Sequence, residues 1–362
     1  MEIEENSPKK NAIYTHKNNI MPKEEIKGHK HNKSMFKLSS KTETSKSLSE
    51  LNSSLATNYS NNPKNTGGSI NQSNDSINDS NNIGYSKKNK NKSLFKIEPS
   101  NKNNSSEYYA EIYTNLLLDE QLNQNLIKID YMKQQNDINE IMRAILIDWI
   151  IEVHYKYHFK RKTLLQTVTI IDLYLSNKTI SKKNFQLLGI ASLLISCKEN
   201  EMYYPRTQEF IYMTNNAYTK NELLKMEAHV LNILNFEILS PSADEFYNIL
   251  SKCFSFNKEQ KFLGEYFMDS SLIDYKMLKY TPSIIAAACA YIVMKFYGIK
   301  KYKDLYSSNM VMMDSPQKVI KDCTRDLCFF VKNLSNSSLK AAKEKYSLEQ
   351  FGKVSDLCEE KK

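Results

Sequence analysis

Residues 142–154, Met-Arg-Ala-Ile-Leu-Ile-Asp-Trp-Ile-Ile-Glu-Val-His, decide the fold, because they read as a helix that is apolar on two sides. Wound at 3.6 residues per turn, Met142, Ile145, Leu146, Trp149 and Val153 make one stripe. Ala144, Ile147, Ile151 and the stem of Arg143 make a second. A helix that is apolar all round lies at the centre of a helical domain, so periodicity alone favours burying both stripes. The alternative leaves the stripe bearing Met142 and Trp149 partly exposed as a docking surface for another protein. Arg143 and Asp148 are the ion-forming residues of this helix, and each needs a partner if buried.

The surrounding composition is uneven. Of the 362 residues, 1–106 hold 20 Asn, 19 Ser, 17 Lys and 10 acidic residues, with no Trp or Arg. Too few apolar contacts are available there to offset the entropy of ordering, so 1–106 is expected to be a disordered regulatory tail. From about Tyr108 the chain becomes dense in Leu, Ile, Tyr and Phe, enough for two helical cores. The tail carries +7 of the total +9, so the remainder is close to neutral, which argues against a nucleic-acid-gripping or membrane-surface role. Its expected partners are proteins.

The lysine run at 87–92 could serve nuclear import, but a solvated charge run explains it better. The acidic start Met-Glu-Ile-Glu-Glu does not read as a secretory leader, and the longest apolar run, 284–294, is too short to span a bilayer. Six cysteines without a CxxC pair read as buried free thiols in a reducing compartment. The expected location is nucleus and cytoplasm, with no cofactor and no metal.

Beyond Tyr108 nearly every segment has helical period and none shows sustained alternation, so the expected fold is all-α. The segments are 108–124, 138–157, 161–177, 184–198, 207–214 and 219–234, then 242–253, 259–273, 281–297, 301–307 and 315–333. The two sets look like a repeat: Gly189-Ile-Ala-Ser-Leu-Leu-Ile-Ser-Cys-Lys198 and Ala286-Ala-Ala-Cys-Ala-Tyr-Ile-Val-Met-Lys295 are both small-residue-rich, apolar and closed by Lys. Small residues let neighbouring helices approach, which suits the central helix of a five-helix bundle.

The string Tyr131-Met-Lys-Gln-Gln-Asn-Asp-Ile-Asn-Glu-Ile-Met-Arg-Ala-Ile-Leu-Ile-Asp-Trp149 closely resembles the start of the cyclin box in mitotic cyclins of the A and B types. Ile170-Ile-Asp-Leu-Tyr-Leu175, Ser196-Cys-Lys-Glu-Asn-Glu201, Asn216-Ala-Tyr-Thr-Lys220 and, later, Tyr280-Thr-Pro-Ser-Ile-Ile-Ala-Ala-Ala288 and Lys345-Tyr-Ser347 follow in the family's order. The resemblance spans roughly 107–350 and implies an N-terminal helix, a first cyclin box to 237, a second repeat over 238–350 and a C-terminal tail over 351–362. It implies a non-catalytic regulatory subunit that binds and activates a cyclin-dependent Ser/Thr kinase in mitotic control.

The resemblance also implies site roles. Arg143 and Asp172 would form a structural ion pair between the first two box helices. Lys198 and Glu227 would meet the kinase beside the helix whose glutamate pairs with the ATP-binding lysine. Phe236, Glu201 and Leu194 would join that interface, with plain core packing as the reading of the residues alone. Tyr108 and Ile112 on the N-terminal helix would pack on the kinase lobe. Met142, Ile145, Leu146, Trp149, Glu152, Lys182 and Gln186 would form a groove docking Arg-x-Leu-type peptides of substrates and inhibitors, Trp149 against the leucine and Glu152 against the cation.

Two positions depart from the family pattern: Lys182 stands where the A-type pattern has Arg, and Glu199 where an aromatic is common. An ammonium lacks the planar fork of a guanidinium, so docking preference should change. Arg143 is the first arginine of the chain, so no Arg-x-x-Leu destruction box lies in the tail; Lys33, Lys37 and Lys46 are the expected acceptors for any ubiquitin-ligase machinery. Lys198-Glu199-Asn200 spells a degradation signal but ends an expected packed helix. Ser7-Pro8-Lys9-Lys10 fits the preference of cyclin-activated kinases, whereas Ser315-Pro316 reads as a helix start.

Among other classes, an enzyme would want a glycine-rich phosphate loop or a nucleophile constellation, and neither is legible. His154 and His158 have metal-like spacing but read as solvated histidines. A cyclin-fold transcription factor would want a basic second repeat, and 237–362 is nearly balanced in charge. A transcriptional cyclin is disfavoured by the groove residues and by Asn216-Ala-Tyr-Thr-Lys220.

Overall fold

The computed structural model describes residues 105–123, 126–306, 316–334 and 337–360. The expectations for residues 1–104, including Ser7, the tail lysines and the tail's disorder, and for Ser315 lie outside these residues. Among the described residues there are twelve α-helices and no strand, so the all-α expectation holds. No described helix is long and apolar enough to cross a membrane.

Helix α1 (Ser105–Asn123) precedes the first bundle, formed by α2 (Glu140–Lys156), α3 (Arg161–Asn177), α4 (Lys182–Asn200), α5 (Thr207–Met213) and α6 (Lys220–Ile233). Helix α4 is its centre: every residue from Phe185 to Cys197 is buried, and α2, α3, α5 and α6 pack round it. The second bundle comprises α7 (Ala243–Cys253), α8 (Lys258–Ile273), α9 (Pro282–Phe296), α10 (Pro316–Leu334) and α11 (Ala341–Tyr346). Here α9 is central, its alanines at 286, 287, 288 and 290 fully buried against α7, α8 and α10. The two small-residue strings thus occupy equivalent places, where side chains of one carbon allow close helix approach.

Helix starts are set locally. Asn139 Oδ1 accepts from Met142 N at 2.9 Å at the head of α2, and Thr219 with Glu222, Ser242 with Glu245 and Asn257 with Gln260 form capping boxes. Pro316 opens α10, as expected from the fixed φ of proline. The segment expected at 301–307 is a 3-10 turn, Lys300–Tyr306. Beyond residue 350, α12 (Val354–Glu360) buries Val354 completely, so the second repeat extends past the boundary expected there.

The two bundles are joined by polar contacts, most of them partly buried. Arg143 Nη1 donates to the Leu272 carbonyl at 2.9 Å, and Met132 N donates to the Tyr275 hydroxyl at 3.0 Å. Asp148 Oδ1 accepts from Ala341 N at 3.0 Å at the head of α11, which is how that buried acid is satisfied. Burial pushes its carboxyl up to about 7 despite that bond. Arg161 donates to Asp244, Asp269 and the Tyr346 hydroxyl, each at 2.8 Å, and Lys345 Nζ reaches Asp269 at 2.7 Å. Burial opposes the charge of Asp269, yet Arg161 and Lys345 hold its carboxyl down at about 2. Helix α1 is tied to the second bundle by Glu120, which accepts from Ser283 N at 2.7 Å at the head of α9.

Two expectations change here. His154 is buried, 4% exposed, with Nε2 3.2 Å from the Lys160 carbonyl oxygen, so of this pair His158 alone is solvated. Burial lowers the His154 imidazole to about 3. None of the six cysteines is in a disulfide, but Cys253 and Cys358 are only half-buried and Cys328 is exposed, because it falls on the outer side of α10.

Candidate functional site

The ion pair expected from Arg143 and Asp172 forms. Arg143 Nε and Nη2 meet the two carboxylate oxygens of Asp172 at 2.8 and 2.7 Å, both side chains buried. The Tyr131 hydroxyl adds a third bond to Asp172 at 2.7 Å. Burial opposes the guanidinium charge, and Asp172 more than restores it.

One exposed face lies on α2. Met142, Ile145 and Trp149 are half-buried, and Trp149 packs against both hydrophobic clusters of the protein. Glu152, one turn further, is exposed and paired with Lys156. Lys182 is the exposed first residue of α4. The periodicity argument for burying both stripes therefore fails on this side. Leu146 and Gln186, expected in the groove, are instead 1% and 3% exposed. The reason is a close crossing of α2 and α4: a Cβ on Gly189 would lie 2.8 Å from Leu146 Cδ1, so Leu146 packs down onto the glycine. The accessible ridge is Met142, Ile145 and Trp149, with Leu146 and Gln186 in the layer beneath.

A second face lies at the ends of α4 and α6. Lys198, near the last turn of α4, forms an ion pair with Glu227 of α6. The lysine side chain is 40% exposed and the glutamate 11%, so the pair sits at a rim where another protein can reach the ammonium. The two charges meet each other, which a reading of separate helix ends does not show. Glu201 accepts from Lys160 N at 2.7 Å and from Thr163 Oγ1, holding the start of α3, where a carboxylate opposes the helix dipole favourably. Asn200, last residue of the Lys-Glu-Asn string, bonds Ser196 O at 3.0 Å within α4.

Phe236 is 67% exposed and has φ of 63°, a left-handed conformation unusual for a bulky residue. Leu194 is fully buried and belongs to the core around α4, which corrects its expected place at a surface. It lies in α4 within a cluster that includes Phe210 and Ile211 of α5 and Leu223 of α6, where the core-packing alternative applies. On α1, Tyr108 and Ile112 are 62% and 47% exposed, while Tyr113 of the same helix packs edge-on to Phe246 at 5.3 Å.

Sequence reasoning missed other exposed apolar side chains of the first bundle. Met202, Tyr203 and Tyr212 are 80%, 86% and 69% exposed. Met202 and Tyr203 follow Glu201 directly, and Tyr212 lies on the adjoining α5. The Tyr-Pro break after α4 read only as a turn; its two tyrosines and methionine, too apolar for a solvated turn, were the available signal. Among the described residues no three His, Cys, Asp or Glu are placed to hold a metal ion.

Two stacked helical bundles, each built on a small-residue central helix, present partly exposed apolar side chains to solvent. The family description "Cyclin, N-terminal domain" matches residues 111–239 and "Cyclin, C-terminal domain" residues 241–360. The chain belongs to the cyclin family. Its relatives include Cyclin-B2-1 of Oryza sativa subsp. japonica, 32% identical over 263 residues, covering 72% of this chain and 62% of the relative. G2/mitotic-specific cyclin-B of Spisula solidissima is 37% identical over 235 residues, covering 64% of this chain and 53% of the relative. The chain therefore matches between about half and three fifths of the length of these curated relatives. Their names agree with the mitotic subfamily that the motifs resemble. A viral cyclin from herpesvirus saimiri shares the fold, with a TM-score of 0.53 and 19% identity over 60% of this chain and 97% of that one.

Proposed function

We propose that this chain is the non-catalytic regulatory subunit of a cyclin-dependent Ser/Thr kinase, acting in mitosis, and that it also docks the kinase's substrates. The observation that carries the reading is the rim-exposed Lys198–Glu227 pair, together with the exposed Met202 and Tyr203 just after α4 and Phe236 just after α6. Large exposed apolar side chains and an accessible charge pair suit a protein partner. Lys198 and Glu227 would bond backbone groups beside the kinase helix that carries the glutamate partner of the ATP-binding lysine. Holding that helix inward completes the catalytic ion pair and shifts the kinase toward its active population. Tyr108 and Ile112 extend the contact along α1.

The ridge of Met142, Ile145 and Trp149 supports the docking half of the proposal. A leucine side chain of an Arg-x-Leu-type peptide would lie on Trp149, and Glu152 would exchange Lys156 for the peptide's cation. The proposal includes residence in nucleus and cytoplasm, checked by imaging a tagged chain. The test of function mixes the full chain with a cyclin-dependent kinase of its own organism and follows Ser/Thr-Pro phosphorylation. Activation of the kinase is expected. Replacing Met142 and Trp149 by Ala should leave turnover of short peptides intact and weaken turnover of substrates bearing the docking motif. No activation overturns the kinase half, and equal loss on both substrate types overturns the docking half.

A further inference from the structure

Gln166 of α3 is a buried amide, 7% exposed, with a polar partner on each side. Its Oε1 accepts from Asn200 Nδ2, at the end of α4 and two residues after Lys198. Its Nε2 donates to the Ile238 carbonyl at 3.3 Å, in the segment between α6 and α7 and two residues after Phe236. One side chain therefore bridges the end of α4 to the segment that carries Phe236. A carboxamide can do this because it holds a donor and an acceptor in one plane, and an apolar side chain of the same length cannot.

Each end of the bridge is organised in its own way. Asn200 Nδ2 also donates to Ser196 O at 3.0 Å, the Asn200 carbonyl accepts from Lys160 Nζ at 2.6 Å, and Glu201 accepts from Lys160 N at 2.7 Å. The end of α4 is thus pinned to the start of α3. On the other side Phe236 sits in a turn made of short-range bonds: Phe236 N to Leu231 O at 3.0 Å, Glu237 N to Leu234 O at 2.8 Å and Ile238 N to Phe236 O at 3.0 Å. Among the described residues, the bond from Gln166 is the one hydrogen bond that ties 235–238 to another helix. Lys198 with Glu227 makes a second strut between α4 and α6.

We infer that Gln166 is a positioning residue: by bonding Asn200 and Ile238 at once, it sets where Phe236 stands relative to the Lys198 end of α4. For its functional meaning the inference rests on the activator reading, in which Lys198 and Phe236 both meet the kinase. A surface whose parts are already in register loses less conformational entropy when a partner docks. Without the amide, the Phe236 turn keeps its own bonds but samples other placements against α3. The fraction of chains ready to bind then falls, and the apparent affinity falls in proportion.

Gln166→Met keeps the length of the side chain and removes the amide. In the full chain without kinase, amide hydrogen exchange at Phe236, Glu237 and Ile238 is expected to speed up at least about tenfold in this variant, while α4 and α6 keep their protection. If Gln166→Met is misfolded by circular dichroism, Asn200→Ala, at a half-buried position, replaces it. With a cyclin-dependent kinase added, the concentration of chain giving half-maximal activation should rise about fivefold at an unchanged maximal rate, as when the competent placement falls to about a fifth of the population. Adding Gln166→Met to Phe236→Ala should cost nothing further, because the ring it positions is gone. The inference is overturned if exchange at 236–238 is unchanged, if protection is lost evenly over the first bundle, or if the fivefold penalty persists on Phe236→Ala. An unsubstituted chain that fails to activate defeats the activator reading instead, and the exchange result still decides whether Gln166 places Phe236.

Discussion

Arg143 of α2 and Asp172 of α3 close a two-bond buried ion pair, and the remaining guanidinium nitrogen of Arg143 reaches the Leu272 carbonyl in the other bundle. One side chain therefore fixes two helices of the first bundle and the seam between bundles. Taking one partner away strands an ion in the core. Arg143→Ala should lower unfolding free energy by about 3–5 kcal/mol in urea titration, as should Asp172→Ala. The double replacement Arg143→Met with Asp172→Leu should recover much of the loss, because neither charge is then left alone.

Asp148 gives the seam a pH dependence. Its folded carboxyl titrates near 7 against an ordinary 3.8, so between those values the native state holds a proton that the unfolded chain has released. Stability from this group accordingly falls as pH rises from about 4 to 7 and stays low above. Asp148→Asn keeps an acceptor for Ala341 N and removes the charge, so it should raise the Tm at pH 8 and flatten the slope of Tm between pH 5 and pH 7. His154 acts in the opposite direction. With its folded imidazole near 3, the unfolded chain takes up the proton first, and stability is lost as pH falls below about 6.5. His154→Gln should reduce that acid loss in the same melting series.

Phe236 holds a strained backbone at a position proposed to face the kinase. A left-handed conformation costs a non-glycine residue roughly 1–2 kcal/mol, and an exposed ring gains little burial to offset it. Phe236→Gly should leave the Tm unchanged or raise it by a few degrees while lowering kinase activation. A fall in Tm without a change in activation would assign the ring to packing.

Much of this architecture is legible in the sequence because helices write a 3.6 period into their apolar residues. The segments at 161–177 and 219–234 coincide with α3 and α6 to within a residue, and the two small-residue strings mark both central helices. The site is less legible where periodicity is saturated. In α4 every residue from Phe185 to Cys197 is buried, so the pattern offers no polar face by which to separate Leu194 in the core from a residue at an edge. Leu146 and Gln186 sank for a similar reason, through a crossing at Gly189 that only tertiary contact reveals. The network of Arg161, Asp244, Asp269 and Lys345 spans residues up to 184 apart in sequence and leaves no local signature. Val354–Glu360 is two turns long, too short for its period to stand out.

The most direct measurement is the rate of Ser-Pro phosphorylation by the cyclin-dependent kinase with the full chain, compared with the variant in which Lys198 and Glu227 are both Ala. Changing both avoids leaving the largely buried Glu227 charge alone. The proposed interface predicts a fall of at least about tenfold, 1.4 kcal/mol, in activation at saturating kinase, with an unchanged Tm. Undiminished activation by the folded double variant would contradict it.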